Sequence, residues 1–169
     1  MAKPTKYAGL ICAILTILVI IGAIVALTKN NPLVLALFLL PTIAYEVYRT
    51  EGKSTKWASW TLAAIFILEI LLIVFKINFD LAGFLGKNET VVAGYNVPLG
   101  DIKIVGPMII AILSVILFIR TRGVYTKWLA VVIILSSFCL IYIMNPAVFQ
   151  TLLKFGVEQG LEKGLQQIR

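Results

Sequence analysis

The chain has 169 residues, 60% of them hydrophobic and only 14% charged, with a mean hydropathy of +1.00. A water-soluble domain carries about a quarter charged residues to cover its surface, so this composition points away from one and toward a single membrane domain. The net charge of +7 is spread over short turns, with no basic domain or motif for nucleic acid, and the lack of histidine removes the commonest haem or zinc ligand and general base.

The first apolar run has 22 residues without a charge between Lys6 and Lys29, enough for a crossing at about 1.5 Å per residue. No small-residue cleavage site follows it, so it reads as an uncleaved span over 7–28 rather than a signal peptide. The second run, 33–48, opens at Asn31-Pro32, a helix start, and holds Pro41, which is expected to kink it. The third run is 57–76, the fourth 104–119 and the fifth 128–144. The second, fourth and fifth are short for a crossing and are expected to tilt little or to borrow flanking residues. The expectation is an all-α integral membrane protein with a five-span domain over 1–144.

Basic residues set the orientation. Lys3 and Lys6, then Arg49, Lys53 and Lys56, then Arg120, Arg122 and Lys127 fall on one side. Loop 77–103 on the other side balances Lys87 and Lys103 against Asp80, Glu89 and Asp101. The positive-inside rule then places the N-terminus in the cytoplasm and the C-terminus on the outer face. Trp57, Trp60 and Trp128 begin spans on the inner side, as an aromatic belt would have them. Arg49, Lys56, Trp57, Arg120, Lys127 and Trp128 are therefore expected to anchor the interface.

The two inner turns repeat. RTEGKSTKW at 49–57 recurs as RTRGVYTKW at 120–128, with six of nine positions identical at an offset of 71. Spans two–three and four–five thus read as a parallel repeat of one helical hairpin. Thr55 and Thr126 are expected to help cap the helices that follow.

Loop 77–103 begins with the amphipathic stretch 77–87. Val91 and Val92, then Ile102, Ile104 and Val105, flank the turn residues Gly94, Asn96, Pro98 and Gly100, the pattern of a small β-hairpin or cap. Asn88-Glu89-Thr90 matches the glycosylation acceptor pattern, a match expected by chance in so short a motif.

Residues 145–169 read as an amphipathic helix capped by Asn145 with Pro146 in its first turn. Within it GVEQ, GLEK and GLQQ follow one another, so that Gly156, Gly160 and Gly164 form a smooth stripe. Such a stripe admits a close partner helix, and the alternative occupant of that face is the lipid interface.

Glu69 is the sharpest single residue. It lies thirteen residues past Lys56, about mid-bilayer, where an ionisable group is by default a functional candidate. No Lys or Arg lies within a span to pair with it, so it is expected to keep its proton. It reads as a proton or cation site or a subunit contact, or as a neutral carboxyl bonded to Ser114, Ser136, Ser137 or a backbone carbonyl. Near the inner end of the second span, Glu46 and Arg49 are expected to pair on one helix face beside Tyr45 and Tyr48.

Cys12 and Cys139 lie inside apolar runs and read as buried hydrophobes rather than a disulfide or metal pair. No phosphate loop, nucleophile–base pair or metal spacing occurs, and seven of the eight acids lie at interfaces or in loops. The chain is therefore expected to be no enzyme and to need no cofactor or metal. Its expected role is that of a structural or accessory protein, with the lipid bilayer, its own copies or another membrane subunit as partners. A small transporter or channel using Glu69 and a membrane-curvature hairpin protein are the alternatives.

Overall fold

A computed structural model describes residues 6–76, 90–92, 95–97 and 102–150. Five long helices account for most of them: α1 (Ala8–Lys29), α2 (Pro32–Arg49), α3 (Lys53–Val74), α4 (Ile102–Arg120) and α5 (Val124–Met144). Four of these are long and apolar enough to cross a membrane, while the apolar part of α4, Ile104–Arg120, is shorter. Between α3 and α4, β1 (Thr90–Val92) pairs antiparallel with β2 (Tyr95–Val97), Thr90 opposite Val97.

The helices overrun the apolar runs that mark them in the sequence. α3 starts at Lys53 rather than Trp57, and α5 at Val124 rather than Trp128. Each therefore includes its polar first turn, because backbone hydrogen bonds carry a helix past the limit of its apolar residues. Ile102, Ile104 and Val105 belong to the first turn of α4 and not to a strand. α2 continues through Pro41, and α4 contains Pro107.

The ends of the helices have local causes. Asn31 accepts from the Leu33 N–H at 3.0 Å and caps α2, with Pro32 in its first position. Asn30 ends α1 in the left-handed region at φ 47, where Asn is tolerated better than most residues. Asn145 accepts from Ala147 and Val148 N–H and so opens the helical turn at 146–150. There Val148 is buried against Ile104 and Ile141, and Phe149 meets Tyr142 edge-on at 5.3 Å. The rest of the tail, with Gly156, Gly160 and Gly164, lies outside the described residues, as does the stretch 77–87.

The helices close a ring in chain order. α2 packs on α3, α3 on α4, α4 on α5, and α5 back on α2, with α1 seated on α2 and α5. One cluster of buried side chains runs through it, including Leu35 and Leu39, Leu62 and Phe66, Ile110 and Leu117, and Ile133 and Leu140. α5 is the most enclosed helix, with half of its apolar window buried against about a quarter to a third in α1, α2 and α3.

Small residues set how α1 sits. Its buried stripe is Ala8, Cys12, Leu15, Val19, Gly22 and Ala26, at helical spacing. A Cβ at Gly22 would come within 2.4 Å of the Phe38 Cβ, so the two helices touch at backbone range only because that position is glycine. Trp128 on α5 donates to the Thr16 hydroxyl at 3.0 Å and ties α1 from the other side. Gly22→Leu is expected to force α1 off α2 at a cost of roughly 1–3 kcal/mol or more, typical of overpacking. Thermal unfolding in detergent would register this as a lower midpoint, and an unchanged midpoint would count against the close approach.

Candidate functional site

Two glutamates lie fully inside the bundle: Glu46 is 1% and Glu69 0% exposed. Glu46 stands in the last turn of α2, three residues before its end at Arg49. Its Oε1 accepts from Thr50 at 2.6 Å and from Ser59 on α3 at 2.9 Å. The carboxyl therefore clamps α2 to α3 and does not pair with Arg49. Arg49 turns the other way, donating to the Tyr45 hydroxyl at 3.4 Å and stacking on the Tyr125 ring of α5 at 5.1 Å. The spacing of three residues allowed the pairing, but the packing of α3 draws Glu46 inward and the ring of Tyr125 draws Arg49 sideways.

Glu69 sits deeper. On α3 the residues Ser59, Leu62, Phe66 and Glu69 share the buried face, so Glu69 lies about 15 Å along the helix from Ser59. Leu62 and Phe66, both sealed from outside, separate the two carboxyls on that face. Glu69 rests on α4 at Gly106, where an added Cβ would fall 1.8 Å from Oε2. The serines expected to hold it do not. Ser136 and Ser137 donate to carbonyls one turn back in α5, at 2.7 and 2.8 Å, and the Ser114 hydroxyl is buried with no partner among the described residues. Back-bonding to the i−4 carbonyl is the local alternative that serine always has in a helix.

Gly106 is the residue that sequence reasoning passed over. Its signal was present, a glycine–proline pair inside the fourth apolar run, but only the antiparallel pairing of α3 with α4 sets that glycine at the depth of Glu69.

At the end of the bundle that carries both basic turns, residues 51–55 and 120–123 come together around a cleft of about 590 Å³. Arg49, Lys53, Arg120 and Arg122 line it, with Glu51 as the acid among them. Of the six residues expected to anchor the interface, Arg49 and Arg120 thus face this cleft. Trp57 is 77% exposed, whereas Lys127 lies over the Phe118 ring at 5.6 Å and Trp128 bonds α1. Lys56 does not line the cleft and is exposed on the first turn of α3. Thr55 and Thr126 do not cap through an N–H. Thr55 donates instead to the Glu51 carbonyl and, at 3.1 Å, to that of Gly52, and Thr126 donates to the Gly123 carbonyl at 2.8 Å. Gly52 adopts φ +99, a backbone that glycine enters without strain.

Among the described residues, no three His, Cys, Asp or Glu side chains gather as a metal site would require. Cys12 and Cys139 are free thiols. No protein family, curated protein or solved structure matches the chain.

The Glu69–Gly106 contact yields a double-mutant test. Gly106→Ala should destabilise the fold by about 1–3 kcal/mol, as overpacking does, because the Glu69 carboxyl must give way. Glu69→Ala removes that carboxyl, so Gly106→Ala should cost clearly less in its presence. Equal costs in both backgrounds, measured by unfolding in detergent, would mean that the two residues are not in contact.

Proposed function

We propose that this chain is a multi-pass membrane protein that crosses the bilayer five times and acts as a structural or accessory subunit through helix–helix contacts. α4 completes the count: at 19 residues it is about 28 Å long, close to the roughly 30 Å of hydrocarbon. The positive-inside rule puts the basic turns and the N-terminus in the cytoplasm and residue 145 at the outer face.

The observation that carries the reading is the use of the buried carboxyls. One oxygen of Glu46 accepts a hydrogen bond from Ser59 that joins α2 to α3, and Glu69 is fitted against the backbone of α4, with Leu62 and Phe66 between them on α3. In lipid, where apolar surface gains little by leaving its surroundings, such polar and close-packed contacts are what hold helices together. They serve assembly.

The two hairpins, α2–α3 and α4–α5, read as copies of one unit. Support comes from buried positions that coincide at the 71-residue offset of the turns: Leu39 with Ile110, Glu46 with Leu117, Leu62 with Ile133 and Glu69 with Leu140. Under that symmetry, α1 fills the groove between α2 and α5, and the equivalent groove between α4 and α3 has no such helix among the described residues. Along α4 its rim exposes Ile109, Ile112, Ile116 and Ile119 at helical spacing. A second copy of the chain is the partner this surface fits.

The test is the particle mass in nanodiscs or mild detergent, set against the 18.6 kDa of one chain. An assembly of at least two chains is expected, and the Ile112→Trp, Ile116→Trp double variant should shift it toward monomer with helix content retained. A protein that stays monomeric at every loading would overturn the reading.

A second reading makes Glu69 a proton site. It draws on the hydroxyls of Thr42 and Ser114 and on Glu46 Oε2, all buried with no hydrogen-bond partner among the described residues. Counted along their helices, Thr42 and Ser114 lie between the depths of the two glutamates. Glu69→Gln should then abolish a proton flux that the intact protein shows in proteoliposomes. An intact protein without such flux removes this alternative.

A further inference from the structure

We propose that the cleft between the two basic turns is a binding site for one phosphate group, presented by an anionic phospholipid headgroup or by a phosphorylated solute. The proposal goes beyond the assembly reading and does not depend on it.

Three features converge there. First, Arg49, Lys53, Arg120 and Arg122 face Glu51 alone among the acids, leaving an excess of three positive charges (4 − 1) around a concave space. Arginine is suited to phosphate because its planar fork can hold two oxygens at once. Second, α3 and α5 both begin at the cleft, after Gly52 and Gly123, and neither first turn has a side-chain cap. Two helix N-termini with uncapped N–H groups point their positive dipole ends at one volume. Third, Thr121 lines the cleft beside these cations, and its hydroxyl makes no hydrogen bond among the described residues.

Ordinary interfacial anchoring would explain basic residues splayed around a helix end. It does not explain why residues 71 positions apart converge on a hollow of about 590 Å³, ample for a phosphate together with the glycerol of a lipid. Lys56 and Lys127, from the same two turns, do not line it, so the cleft gathers a subset of the charge rather than the whole basic rim.

The experiment uses the full chain in nanodiscs of phosphatidylcholine, with and without phosphatidic acid, and with or without added inorganic pyrophosphate. Lipid retained per chain is read by native mass spectrometry and stability by the unfolding midpoint. About one phosphatidic acid should be retained per chain, with a raised midpoint, if the source is lipid. A pyrophosphate-induced rise, with no preference for phosphatidic acid, assigns the same site to a soluble phosphate.

Arg120→Gln with Arg122→Gln should weaken either effect on the order of tenfold, the loss of one or two charge-assisted hydrogen bonds. Ser54→Trp keeps every charge and fills the cleft from an exposed position, and should do the same. Lys29→Gln, at the opposite end of α1, should change nothing. The site is overturned if neither phosphate source shifts the midpoint, if Ser54→Trp binds like the parent, or if Lys29→Gln weakens binding as much as the arginine pair.

Discussion

Four polar or close-packed contacts fix how particular helices meet in this chain: Glu46 with Ser59, Glu69 with Gly106, Gly22 with Phe38, and Trp128 with Thr16. Each joins a different pair of helices, α2 to α3, α3 to α4, α1 to α2 and α1 to α5. Leucine and isoleucine fill the space between, but in hydrocarbon they gain little by facing a helix rather than a lipid tail. Specificity is therefore left to hydrogen bonds and to places where a missing side chain lets backbones approach. These contacts fix two of the ring's four joints and the seat of α1.

The same constraint accounts for the apolar exterior. Ile14, Ile17, Ile21 and Ile24 on α1, and Ile67, Leu68 and Leu71 on α3, are exposed, and in water such surface would collapse. Here both faces of a helix are apolar, so hydrophobicity alone does not mark the buried one. What marks it is size and polarity. The inward stripe of α1 is rich in Ala, Cys and Gly, and that of α3 carries Ser59 and Glu69.

Charge is confined with equal economy. The cations cluster where the hairpins turn, and the packing of α3 with α4 and of α2 with α5 sets the two turns beside one another. Two basic turns thereby become one concave basic surface. The assembly reading and the phosphate reading use different parts of the molecule, the apolar flank of α4 and the polar end of the bundle.

How much of this was legible beforehand differs from residue to residue. Charge-free runs give the apolar helices directly, because hydrocarbon leaves a backbone no other way to satisfy its N–H and C=O groups. Asn31-Pro32 and Asn145-Pro146 give two helix starts, since a cap is a local bond between near neighbours. The burial of Glu69 was also readable from its distance to the nearest charge. Its partner was not: Ser114, Ser136 and Ser137 were chemically plausible, and Gly106 offers no side chain to suggest it. Likewise, Glu46 and Arg49 satisfied the spacing rule for a pair and were separated by neighbours from two other helices. Sequence by itself determined what is local along the chain, namely apolar length, caps and the matching turns. Only the tertiary structure decided which faces meet, because contacts across helices depend on rotation and register, which apolar residues in an apolar solvent leave almost unspecified.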